Sequence, residues 1–130
     1  MSMRSKLFAN LLLGVLPLLG LGTGCGKYQG GATAYLTWHV VDAAAPDPLT
    51  APAIDCSGKG VEWVRVQLAT GTLFDFPCSA YSAETGSFTA GTYSIDVIAL
   101  GATGAALSAQ RISSDVFGRT NLGHFIFQVR

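Results

Sequence analysis

The chain has 130 residues, with eight Lys and Arg against eight Asp and Glu, a formal net charge of zero, and 12% charged residues beside 49% hydrophobic ones. With neither sign clustered, this composition excludes the basic footprint of a nucleic-acid binder, and its apolar content excludes a disordered tail. The length suits one domain.

The first predicted element is a leader over residues 1–24. Arg4 and Lys6 precede an apolar run from Leu7 to Leu21, and Gly22-Thr23-Gly24 leads to Cys25. A basic start, a short apolar stretch and small residues before the cut make an export signal. A membrane span needs about 20 apolar residues, and this run is shorter and interrupted by Gly14, Pro17 and Gly20. The segment resembles the signal peptide and lipobox of bacterial lipoproteins, departing from the usual pattern in that Leu21 stands four residues before the cysteine, not three. The resemblance implies that Cys25 carries a diacylglycerol and an N-linked acyl chain such as palmitate. Residues 25–31 then form a lipidated tether at the membrane. Cleavage without lipid and an uncleaved anchor are the alternatives. Gly26 after the cysteine implies, by resemblance to the sorting rule of enteric bacteria, an outer membrane lipoprotein facing the periplasm or the cell surface. No other cofactor is expected.

Three cysteines are an odd number for an exported chain. With Cys25 acylated, Cys56 and Cys78 remain as a pair, and an oxidising compartment favours their disulfide.

Residues 32–130 read as the folded domain. From Ala32 to Val41, Ala34, Leu36, Trp38 and Val40 alternate with Thr33, Tyr35, Thr37 and His39, which predicts a half-buried strand. The stretch Asp42 to Gly60, with Pro46, Pro48 and Pro52, predicts a long loop. A hairpin follows over Val61–Leu68 and Leu73–Cys78; with Thr70-Gly71 as its central residues, Cys78 would stand opposite Trp63 and the Ser57–Gly60 segment would have to fold back for the disulfide. Further strands are predicted over Ser87–Ala90, Thr92–Leu100, Ala105–Ser113 and Gly123–Arg130, with Asp115–Leu122 as a loop. The reading is all-β: a small antiparallel sandwich of about seven strands. Its predicted core is Leu36, Trp38, Val64, Val66, Phe74, Phe76, Tyr93, Ile95, Val97, Phe125 and Phe127.

The runs Phe74-Asp75-Phe76-Pro77-Cys78 and Gly86-Ser87-Phe88-Thr89-Ala90-Gly91-Thr92-Tyr93-Ser94-Ile95-Asp96-Val97 resemble the transthyretin-like or carboxypeptidase-regulatory-like (immunoglobulin-like) β-sandwich of bacterial surface lipoproteins. The resemblance spans about residues 32–130, and its sharpest motif, Gly-x-Tyr-x-Ile-x-Val, reports packing. It implies an accessory or interaction module, not a catalyst. Related surface domains of the collagen-adhesin B type join Lys to Asn through an isopeptide bond; Lys59 and Asn121, with Glu62 or Glu84 as the acid, are the residues on offer, although Lys59 between two glycines departs from the pattern.

Candidate chemistry is sparse, and no catalytic residue is assigned. Tyr35, Trp63 and Tyr81 form a candidate ligand surface, since aromatic faces stack on sugars. Asp42, Asp47 and Asp55 in one loop supply calcium-type oxygen ligands without EF-hand spacing. His39 and His124 would meet on an outer face, with Asp42 near, if the first and last strands were neighbours; solvated strand histidines are the commoner outcome, and no metal is assigned. The expected function is therefore a lipid-anchored, non-enzymatic envelope module with a structural or protein-interaction role. Its expected partners are the membrane and an envelope protein or polysaccharide, not nucleic acid. A carbohydrate-binding module is the first alternative, and a metal-dependent or hydrolytic enzyme the second.

Overall fold

Strand β1 (Gly31–Asp42) follows the sequence alternation directly: Ala32, Ala34, Leu36, Trp38 and Val40 are buried, while Thr33, Tyr35, Thr37 and His39 look outward. The computed structural model describes residues 31–130. The leader, Cys25 and the rest of the tether lie outside the described residues. Seven more strands follow: β2 (Val61–Leu68), β3 (Leu73–Pro77), β4 (Ser82–Glu84), β5 (Phe88–Thr89), β6 (Gly91–Gly101), β7 (Ala106–Val116) and β8 (Arg119–Val129). Short 3-10 turns occupy Cys56–Lys59 and Cys78–Ala80.

These strands form two four-stranded sheets. In the first, β1 is flanked by β8 on one edge and by β5 and β4 on the other. The second runs β3-β2-β6-β7 and is antiparallel throughout. Their inner faces meet in one apolar core, where Trp38, Leu36, Phe125 and Phe127 pack against Val64, Val66, Ile95 and Val97. The all-β sandwich is therefore as expected, although β8 runs parallel to β1, from Thr33 opposite Arg119 to Asp42 opposite Val129.

Several expectations are corrected. Asp115–Leu122 is not a loop: β7 reaches Val116, the chain turns at Phe117-Gly118 with Gly118 at φ +59°, and β8 begins at Arg119. The polar residues Arg119, Thr120 and Asn121 masked this start, and their pairing with β1 overrides the weak local pattern. Ser82–Glu84 was not anticipated as a strand; its three residues form a ladder because they lie beside Tyr35–Thr37. The hairpin turn contains three residues, Ala69-Thr70-Gly71, with Gly71 at φ +100°. This register sets Trp63 opposite Pro77, Val64 opposite Phe76 and Val66 opposite Phe74. A two-residue turn would have opposed inward to outward side chains; the added left-handed residue lets both strands turn their apolar residues to one face. Phe74, Phe76 and Tyr93 are only half-buried. Phe74 packs on Phe88, and Phe88 on Tyr93 edge to face, so these rings close one side of the sandwich rather than filling its centre.

The Cys56–Cys78 disulfide joins the two 3-10 turns, with both cysteines buried. The Ser57–Gly60 segment does fold back, since Gly60 at φ +70° closes the first turn by donating its N–H to Ser57 O. Trp38 Nε1 donates to the Cys78 carbonyl at 2.9 Å, and the Cys56 N–H donates to Tyr81 Oη at 3.2 Å. Tyr81 itself holds φ +57°, a conformation unusual for a bulky residue. One indole and one phenol thus satisfy polar backbone around the crosslink.

Candidate functional site

The parallel β1–β8 pair brings chemistry-bearing side chains together on the outer face of the first sheet. Up to Tyr35 opposite Asn121 the two strands keep one register; beyond it Leu36 stands opposite Gly123, and Leu122 is the extra residue of a bulge. Gly123 adopts φ +106°, and its N–H donates to Asn121 Oδ1 at 2.8 Å. The extra residue reverses which side chains of β8 point inward. Phe125 and Phe127 consequently enter the core beside Trp38 and Val40, and His124 emerges opposite Thr37. Without the bulge His124 would face the core.

His39 lies two residues along β1 on the same outer face. Its Nδ1 is 2.6 Å from His124 Nε2, and His124 Nδ1 is 2.7 Å from Thr37 Oγ1. Partial burial, and then the neighbouring His124, hold the His39 imidazole below its ordinary value. A shallow concavity of about 390 Å³ opens beside the pair, lined by Leu49, Gln110, His124 and Gln128 among others. The two histidines therefore meet as their neighbouring strands would require. Asp42 does not join them: its Oδ1 accepts the Ala44 N–H at 2.9 Å and lies 3.5 Å from Lys59 Nζ.

Other candidates are dispersed. Tyr35 lies on the outer face of the first sheet, under the Arg119 guanidinium, 3.9 Å from the ring centre. Trp63 lies on the outer face of the second sheet, 43% exposed. A bulge between Val61 and Trp63 makes this possible, burying Val61 while its apparent face-mate Trp63 remains outside. Tyr81 sits by the disulfide. The three aromatic residues therefore form no common platform. Around Trp63 the outer face carries Leu100 and Pro77 as strand partners and the bidentate ion pair Arg65–Asp75, while a second bidentate pair, Arg111–Asp96, stands further along at Gln67.

The loop carboxylates also serve local ends. Asp47 Oδ1 accepts the Leu49 N–H, and Asp55 leads into the Cys56–Lys59 turn. Among the described residues no group of three or more His, Cys, Asp or Glu is placed to hold a metal ion. Lys59 reaches Asp42 at the end of β1, whereas Asn121 pairs opposite Tyr35; about 23 Å of strand lies between these positions, so they cannot form an isopeptide bond.

Sequence reasoning overlooked Thr37 as the partner of His124, and Arg119 with Glu84 and Thr33 as a polar cluster. The signal was the odd-numbered polar side of β1, unreadable as a site until its neighbour was known. No protein-family model matches the sequence, and no curated protein matches it.

Proposed function

We infer that this chain is an exported, lipid-anchored β-sandwich of the cell envelope, with a structural or protein-interaction role and without catalysis of its own. The observation that carries the reading is the buried Cys56–Cys78 disulfide. Such crosslinks persist in oxidising compartments, and pairing these two thiols leaves Cys25, directly after the export-type leader, as the odd cysteine that lipidation accounts for. Two four-stranded sheets around one core support the transthyretin-like resemblance.

The mixed face around Trp63 favours a protein contact over a sugar platform, because its aromatic residue stands without an aromatic neighbour among its strand partners and beside the Arg65–Asp75 ion pair. A polysaccharide titration that shifts the emission of the native protein, but not that of Trp63→Phe, would instead favour the carbohydrate reading.

Detergent phase partitioning of the native protein tests the anchor. The mature chain is expected to begin at Cys25 and enter the detergent phase, and Cys25→Ser is expected to release it, since several acyl chains hold a protein far more durably than one. An N-terminus that retains Met1, with membrane association unaffected by the substitution, would overturn the anchor. Ready alkylation of Cys56 and Cys78 in the native, unreduced protein would remove the support for an oxidising compartment.

A further inference from the structure

We propose that His39 and His124 form an open binding site for a divalent late first-row transition ion, Cu²⁺ foremost, with Thr37 as the positioning residue. The proposal goes beyond the envelope reading and does not rest on it.

The geometry starts from the two inner nitrogens, His39 Nδ1 and His124 Nε2, which point at each other across 2.6 Å. In the metal-free pair one of them carries the proton of their hydrogen bond and the other accepts it. Two metal–nitrogen bonds of about 2.0–2.1 Å at an angle near a right angle or a tetrahedral one need nitrogens roughly 3 Å apart. The ring centroids are 4.9 Å apart, so the two nitrogens point along the line between them; binding therefore needs each ring to swing by roughly 35–45° until the lone pairs converge on one point, and both rings are on the solvent side of the sheet.

Thr37 can hold the tautomer that binding requires, its hydroxyl oxygen serving as an acceptor. When His124 carries its proton on Nδ1, that N–H donates to Thr37 Oγ1 at 2.7 Å and Nε2 is left with its lone pair toward His39. This is the outer-shell arrangement that orients metal-bound imidazoles, in which the second ring nitrogen donates to a fixed acceptor. His39 carries its own proton on Nε2, leaving Nδ1 as the second ligand. No proton is released from the neutral pair, because the shared proton moves to an outer nitrogen.

The ion itself follows from the donors. Two imidazoles and no thiolate suit Cu²⁺, Ni²⁺ and Zn²⁺, and affinity at such a nitrogen site rises to Cu²⁺ and falls again at Zn²⁺. The remaining positions open to the concavity beside His124, where water or the side chain of a bound partner can complete the sphere. An ion held this way is exchangeable, which suits binding or transfer rather than a closed structural centre.

The test is a titration of the full chain in detergent with Cu²⁺ alone, followed by electron paramagnetic resonance and calorimetry. One ion per chain is expected, with nitrogen hyperfine structure from two imidazoles, and Zn²⁺ is expected to compete more weakly. His39→Gln and His124→Gln should each weaken binding more than tenfold. Thr37→Val should weaken it about tenfold, and Thr37→Ser should restore it. A spectrum showing fewer than two imidazoles, or the same stoichiometry and affinity in the His39→Gln/His124→Gln double variant, would overturn the site. The spectrum of the unmodified protein decides even if a variant fails to fold.

Discussion

At the scale of single residues, the core and its margin differ by how completely each ring is enclosed. Phe127 is fully buried between Val40 and the opposite sheet, whereas Phe76 is half-buried on the edge strand β3. Truncating a fully buried aromatic residue costs about 3–5 kcal/mol, through lost transfer energy and the cavity left behind. Phe127→Ala is therefore expected to cost that much in urea denaturation, and Phe76→Ala about half of it, because water already reaches one side of the ring. Equal losses would show that β3 packs more tightly than its exposure implies. Trp38 combines both kinds of contribution, since its ring is buried and its indole N–H satisfies the Cys78 carbonyl next to the disulfide.

At the scale of elements, the bulge at Leu122-Gly123 sets the face of the last strand, and it depends on a backbone conformation that a side chain disfavours. Gly123→Ala has room for the added methyl group but not for φ +106°, so the expected cost is about 1–3 kcal/mol. Gly86→Ala is the control: it has ordinary φ and an ordinary 3.8 Å approach to Phe74 Cε1, and should be neutral to slightly stabilising. Thermal melts of the two variants check the contrast, and equal melting temperatures would remove the bulge from its assigned role. This element also marks how far the sequence could be read. Val61–Leu68 was legible to its boundaries because Val64, Val66 and Leu68 alternate without interruption, and β1 was legible for the same reason. The start of β8 was not, because Arg119-Thr120-Asn121 lacks an apolar face of its own and becomes strand only through its long-range partner. The histidine pair was half-legible. Alternation placed both rings outward, but only parallel pairing and the bulge determine that they touch, and neither leaves a local mark.

At the scale of the whole molecule, acid acts on the fold through two sets of groups. The His39 ring has a lower pKa folded than unfolded, so its contribution is present in full above about pH 6.5 and is lost as pH falls through the native value. Asp42, Asp75, Glu84 and Asp96 are also held below their ordinary range: Asp42 first by the Ala44 N–H and then by Lys59, the other three by bonds to Arg65, Arg119 and Arg111 respectively. Their contribution is present above the unfolded carboxylate range near pH 4 and is lost below it. Melting temperature is thus expected to decline in two stages on acidification, the first absent in His39→Gln; a first stage of equal size in that variant would assign it to another group. The parallel course of β1 and β8 has a mechanical consequence as well. Tension applied between the beginning of β1 at Gly31 and the end of β8 at Val129 draws the two strands past one another, so the load falls on the whole ladder from Thr33 to Asp42 at once. Tension between Gly31 and Arg119, which lie at the same end of the pair, opens the ladder one rung at a time. In single-molecule pulling the first geometry should need the higher rupture force, and a domain held by its N-terminus and gripped near its C-terminus would resist extension along its strongest direction.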